Sequence, residues 1–192
     1  PLLLSTKSNS LDPDIPVGVP GKNTTANALL RFWATGESVT YETEYAVFDK
    51  LYHDLLNADR IQSLVIHENR FTYEQDGLHL ICDLGEYWEK KTEAPIPLGG
   101  IVIRRDLGTD VARQVDGLIQ RSVEFAWDNP GKSESFIREH AQETKESVVK
   151  SHIGLYVNDF SAHMGDKGKV AIERLQQLIA PEFDDEKSLF AY

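Results

Sequence analysis

Between residues 14 and 68 the spacing of apolar positions alternates between two periods. "DIPVGVPGK" (14–22) is a short apolar run closed by a Pro-Gly turn, which predicts a buried strand. "NTTANALLRFWATGE" (23–37) then carries Leu29, Leu30, Phe32 and Trp33 as one helical stripe, with Gly36 as the stop. "SVTYETEYA" (38–46) alternates through Val39, Tyr41, Thr43 and Tyr45, the period of a strand. "VFDKLYHDLLNAD" (47–59) returns to helical spacing at Val47, Leu51 and Leu55, and "IQSLVIHE" (61–68) is another apolar strand. Strand, helix, strand, helix, strand is the order of a parallel α/β lobe.

Downstream the pattern changes. "GLHLICDLGEYWEKKTE" (77–93) predicts a strand over Leu78–Leu84 and a short acidic helical turn. "APIPLGGIVIRRDLG" (94–108) holds prolines and glycines followed by the strand-like Ile101–Arg104, as expected of a crossing between lobes. From Gly108 every segment reads as helix, with stripes at Val111, Val115, Leu118 and Phe125, at Val149, Ile153, Tyr156 and Phe160, and at Ile172, Leu175 and Ile179. Asn129-Pro130-Gly131 and Gly165 separate them. Such stripes must bury against something. The expectation is that strands upstream of Pro1 supply the missing sheet, and that "PLLLSTKS" lies inside a protein. The expected division is 1–13 as a hinge or linker from a first lobe, 14–100 as a second α/β lobe, and 101–192 as a crossing strand with the C-terminal helices of the first lobe.

Composition narrows the function classes. The 192 residues carry 20 Lys and Arg against 31 Asp and Glu, a formal charge of -11 that repels nucleic acid and anionic membranes at long range. A local anion site stays open, because backbone dipoles act at short range. The single cysteine, Cys82, excludes an internal disulfide and a multi-cysteine metal site, and fits a reducing, cytoplasmic setting. No stretch reaches the roughly 18 to 20 apolar residues of a membrane span.

Several motifs fail on inspection. "VPGKNTT" lacks the phosphate-loop glycine, since Pro16 stands there, and Asn23 follows Lys22 where Ser or Thr is needed. "HENRF" has Phe71 where a zinc-protease helix needs its second histidine. His140 and His152 lie on separate predicted helices with no third ligand at metal spacing, and Asn23-Thr24-Thr25 is a bare sequon.

Two features survive. At "GKNTTA" a strand ends, Gly21 permits a tight turn, and a helix begins with Thr24 and Thr25. The first helical N–H groups have no intrahelical partner and can hold a carboxylate or phosphate oxygen. Equally, Asn23 or Thr24 can simply cap the helix. The second is His67, at the C-terminal end of a predicted parallel strand, where open α/β sheets place ligand crevices. An imidazole there exchanges protons near neutrality. The alternative is a histidine held within its own lobe, with Glu68 and Arg70 as a surface ion pair.

"VPGKNTTANALL", "LVIHENRFTYEQDGL", "DLGEYWEKKTEAPIPLGGIVIRRDLG", "HAQE" and "SHIGLYVNDFS" together resemble the 1,4-dihydroxy-6-naphthoate synthase family of the futalosine route to menaquinone. The likeness runs in order along nearly the whole chain, and the block around His67 is its most specific part. It implies a two-lobed fold like the type II periplasmic solute-binding proteins, with the ligand between the lobes. It implies a lyase in which His67 is the general base on cyclic dehypoxanthine futalosine. Thr25 and Ala26 match the family's substrate-holding pair, with Thr24 beside them. The resemblance implies a small-molecule substrate, no metal and no organic cofactor. Family members carry a further N-terminal segment before the position of Pro1. Two other readings stand beside it: a non-catalytic two-lobed binder of a small acid, and chorismate dehydratase on the same scaffold. Self-association is left open by the uncovered helices.

Overall fold

The computed structural model describes residues 1–141, 145–181 and 189–192, except for the side chains of His67 and Glu68. The chain is mixed α/β and divides into two compact units, Pro1–Ile96 and Pro97–Tyr192.

The first unit is built on five strands: β1 (Leu2–Ser5), β2 (Val17–Val19), β3 (Thr43–Tyr45), β4 (Gln62–Val65) and β5 (His79–Asp83). Their order across the sheet is β3-β2-β4-β1-β5. β2 runs parallel to both β3 and β4, as the alternating pattern predicts. β1 runs antiparallel to β4 on one side and to β5 on the other. The sheet is therefore mixed, and residues 1–13 do not open as a linker. "LLLS" is buried at all four positions, the pattern of a central strand covered on both faces.

Helices cover the two faces. Leu2, Leu4 and Val65 pack with Tyr52 and Leu55 of α2 (Phe48–Leu56) in one cluster with Leu78. Strand side chains alternate between faces, so Leu3 and its register partner Leu64 point to the other side, and both are buried. α1 (Thr25–Glu37) and α3 (Leu84–Thr92) contact each other, and α3 contacts β1. Phe32 meets Tyr87 and Trp88 at ring distances of 5.8 and 5.6 Å. Gly18 in β2 permits a close approach here: a Cβ would stand 2.7 Å from Leu51 Cδ2 of α2.

The elements are shorter than their sequence patterns. β3 keeps only Thr43–Tyr45, an edge strand with one neighbour. β4 stops at Val65, and His67–Phe71 form a 3₁₀ turn. His67 thus stands two residues beyond the strand rather than at its tip.

The second unit holds α4 (Gly108–Asp128), α5 (Pro130–His140), α6 (Glu146–Tyr156), α7 (Asp159–Ala162) and α8 (Gly165–Ile179). The expected strand Ile101–Arg104 is not formed; Val102 is 91% exposed and no strand lies beside it among the described residues. Without a ladder partner, β-branched residues do not make a strand. Helices form throughout, but the stripe expected over Val149–Phe160 is divided, because α6 ends at Tyr156 and Phe160 belongs to α7; on α4, Leu118 and Phe125 are both more than half exposed.

Candidate functional site

The site begins where β2 ends. Gly21 adopts φ +152, a conformation that favours glycine, and turns the chain toward α1. Thr24 is the N-cap: its Oγ1 donates to the Gly21 carbonyl (2.9 Å) and accepts from the Asn27 N–H (3.2 Å). The capping reading of this residue therefore holds, and one lone pair of the hydroxyl remains. The first helical bond runs from Ala28 N–H to the Thr24 carbonyl (3.1 Å). The N–H groups of Thr25 and Ala26 precede it and have no intrahelical acceptor. No acidic residue occupies the first turn of α1, so its positive end is not neutralised from within the helix. Behind it Asn27, 4% exposed, donates from Nδ2 to the Lys22 carbonyl (2.9 Å), while its Oδ1 has no partner among the described residues.

The second part begins where β4 ends. Gly18 of β2 is in register with Ser63 of the parallel β4. Lys22 lies four residues past Gly18, and His67 lies four past Ser63. The start of α1 and the backbone of His67 therefore leave the same edge of the sheet from neighbouring strands. Leu2 of β1 pairs with both Val65 and Asp83, which puts the end of β5 level with that edge. Periodicity alone revealed the first two members; the third depends on β1, whose pairing no local pattern announces.

The segment after His67 is held by polar contacts. Arg70 Nη2 donates to Asp83 Oδ2 at 2.8 Å, with the two side chains 30% and 10% exposed. Arg70 is thus anchored to the end of β5, and its alternative pairing with Glu68 lies outside the described side chains. The other oxygen of Asp83 accepts from the Gly85 and Glu86 N–H groups (2.9 and 3.2 Å), capping α3. The Tyr52 hydroxyl donates to Asp76 Oδ2 at 2.5 Å and lies 3.3 Å from Thr72 Oγ1. Burial, reinforced by the Asp76 carboxylate, pushes Tyr52 up to about 12. Burial likewise pushes the Cys82 thiol up to about 11, which keeps it protonated and unreactive. The side chains of His67 and Glu68 lie outside the described atoms.

His140 and His152 of the second unit stand apart from this edge in the sequence and have local contacts. His140 stacks on Phe136 at 4.2 Å, and His152 meets Tyr156 edge-on at 4.7 Å. Among the described residues no three His, Cys, Asp or Glu side chains gather as metal ligands, and no helix is long and apolar enough to cross a membrane.

Residues 1–181 match the model of a protein family described as menaquinone biosynthesis. The chain is 40% identical over 186 residues to a 1,4-dihydroxy-6-naphthoate synthase of Streptomyces coelicolor, covering 95% of this chain and 65% of that protein. It is 41% identical over 159 residues to the enzyme of the same name from Thermus thermophilus, covering 83% of this chain and 57% of the other. The chain thus spans less than two thirds of the length of these relatives. A crystal structure of a protein from Archaeoglobus fulgidus is similar in fold, with a TM-score of 0.81 and 28% identity over 94% of this chain and 67% of that one. By its match along almost the whole sequence, this chain belongs to the menaquinone biosynthesis family.

Proposed function

We propose that the full-length protein is a carbon–carbon lyase that converts cyclic dehypoxanthine futalosine to 1,4-dihydroxy-6-naphthoate. His67 is the general base. The start of α1 holds a substrate carboxylate or hydroxyl through the free N–H groups of Thr25 and Ala26, with the remaining lone pair of Thr24 Oγ1 beside them. The observation that carries this reading is the common sheet edge from which the helix start and the His67 turn both emerge. A helix N-terminus with no acidic first turn stabilises an anion, and an imidazole is a general base suited to taking a proton from a bound substrate. Proton removal by His67 drives cleavage of the carbon–carbon bond, releasing the naphthoate and a sugar-derived fragment.

The same reading assigns a two-lobed, periplasmic-binding-protein-like fold of type II, with residues 14–100 in the second lobe and 101–192 in the first. Support comes from the strand order β3-β2-β4-β1-β5, in which one antiparallel strand enters an otherwise parallel set. The reaction calls for one small-molecule substrate and neither nucleic acid nor membrane, in keeping with the charge of -11 and a cytoplasmic setting.

The test is turnover of cyclic dehypoxanthine futalosine by the full-length protein beside its His67→Ala variant. The variant is expected to lose on the order of 100-fold to 10,000-fold in kcat while still binding substrate. Near-native turnover by the variant rejects the base assignment. Binding without turnover by the parent would instead favour a solute binder.

A further inference from the structure

The 3₁₀ turn His67–Phe71 carries His67 at its first position. It follows an extended residue, Ile66, and has no side-chain cap. Short 3₁₀ turns are weakly held, because their hydrogen bonds are poorly aligned. Yet a general base has to be positioned closely, since a displacement near 1 Å costs on the order of 100-fold in rate. The sheet supplies the missing constraint. Arg70 lies in the same turn, three residues after His67, and its guanidinium reaches Asp83 at 2.8 Å. Asp83 is itself rigid: it is the last residue of β5, pairs across the sheet with Leu2, and caps α3 through its other oxygen. Because Val65 pairs with the same Leu2, the strand leading to His67 and the anchor for Arg70 share one strand between them.

We propose that Arg70 and Asp83 act as positioning residues for His67, their ion pair fixing the His67–Phe71 turn to the end of β5. The inference rests on His67 being the base. Asp83 has a second duty as helix cap, but Asn serves as well as Asp in that role. Asp83→Asn therefore weakens the ion pair while keeping α3 capped, and Arg70→Met removes the guanidinium while keeping an apolar stem. A residue that only supports the fold lowers stability and leaves the chemistry of the folded fraction intact. A residue that positions the base lowers kcat with little change in KM.

The experiment is steady-state turnover of cyclic dehypoxanthine futalosine by the full-length protein carrying Arg70→Met, Asp83→Asn, both together, Arg70→Lys, or His67→Ala, with thermal melting of each. Expected is a kcat loss of about tenfold to 100-fold in each single variant, with KM within about threefold and cooperative melting retained. The double variant is expected to be no worse than the worse single one, because both break one contact. Arg70→Lys keeps the charge and recovers part of the loss. If Arg70→Met does not fold, Asp83→Asn alone decides. Near-native kcat in Asp83→Asn, or losses that multiply in the double variant, overturns the inference. If His67→Ala is inactive while Arg70→Met and Asp83→Asn turn over normally, the clamp fails and the base stands. Turnover by His67→Ala removes both.

Discussion

Trp88 and Phe136 are both large aromatic residues on helices, but Trp88 is 1% exposed and Phe136 is 65% exposed. Trp88 belongs to α3, which packs on α1 and β1, and its ring meets Phe32 at 5.6 Å. Phe136 belongs to α5, where its described ring partner is His140 one turn away on the same helix. An apolar stripe specifies that a helix forms, but burying it takes a second surface. The first unit provides that surface in its own sheet. Its site edge follows, because a fixed sheet sets the direction in which α1 and the His67 turn emerge.

The sharpest way to break this comparison is truncation at the two aromatics. Trp88→Ala is expected to destabilise the first unit by about 3–5 kcal/mol, read by chemical denaturation, since a buried ring leaves a cavity. A cost near zero would mean the α1–α3 layer is not a packed core. Next in size is Tyr52→Phe, which keeps the ring but removes the donor to Asp76. It should cost roughly 1.5–3 kcal/mol, because the bond is to a carboxylate.

The same contact predicts an alkaline limit. Folding raises Tyr52 from its ordinary value near 10 to about 12. The stability it contributes is complete below about pH 10 and is lost as pH rises to about 12. Denaturation midpoints measured across that window should fall in the parent, and fall less in Tyr52→Phe. Equal slopes would mean that burial and the Asp76 carboxylate do not raise Tyr52 on folding. The smallest effect is expected for Phe136→Ala in this 192-residue chain, within about 0.5 kcal/mol, because little of the ring is covered. A cost comparable with that of Trp88→Ala would show that α5 has a covering surface after all.

Much of the first unit was legible in the sequence because its signals are local. Leu29, Leu30 and Trp33 mark the buried stripe of α1, Gly21 marks the turn before it, and "SLV" marks β4. The position of β1 was not legible. Leu2–Ser5 pair with residues about sixty and eighty positions later, and an apolar run does not state which neighbours it will find or in which direction. That pairing brings Asp83 level with the His67 turn, so the Arg70–Asp83 anchor was hidden with it. Ile101–Arg104 failed in the opposite sense: the residues favour a strand, but no described strand lies beside them to complete a ladder. His67 itself was visible as an anomaly at the end of an apolar run, although the run ends two residues earlier than its composition suggests.

The proposed function divides labour along one sheet edge, with the start of α1 binding substrate and His67 acting as the base. Thr25→Pro tests it directly beside His67→Ala. Proline at the first helical position removes an N–H that no helical bond uses, and the extended Thr24 before it (φ -96, ψ 149) already suits a following proline. We would measure substrate Kd and single-turnover rate for both variants of the full-length protein. The account predicts a Kd weakened about tenfold or more in Thr25→Pro with melting unchanged, consistent with loss of a charge-assisted hydrogen bond. In His67→Ala it predicts an intact Kd and a rate reduced by on the order of 100-fold or more. Unchanged substrate affinity in Thr25→Pro, or a normal rate in His67→Ala, would contradict it.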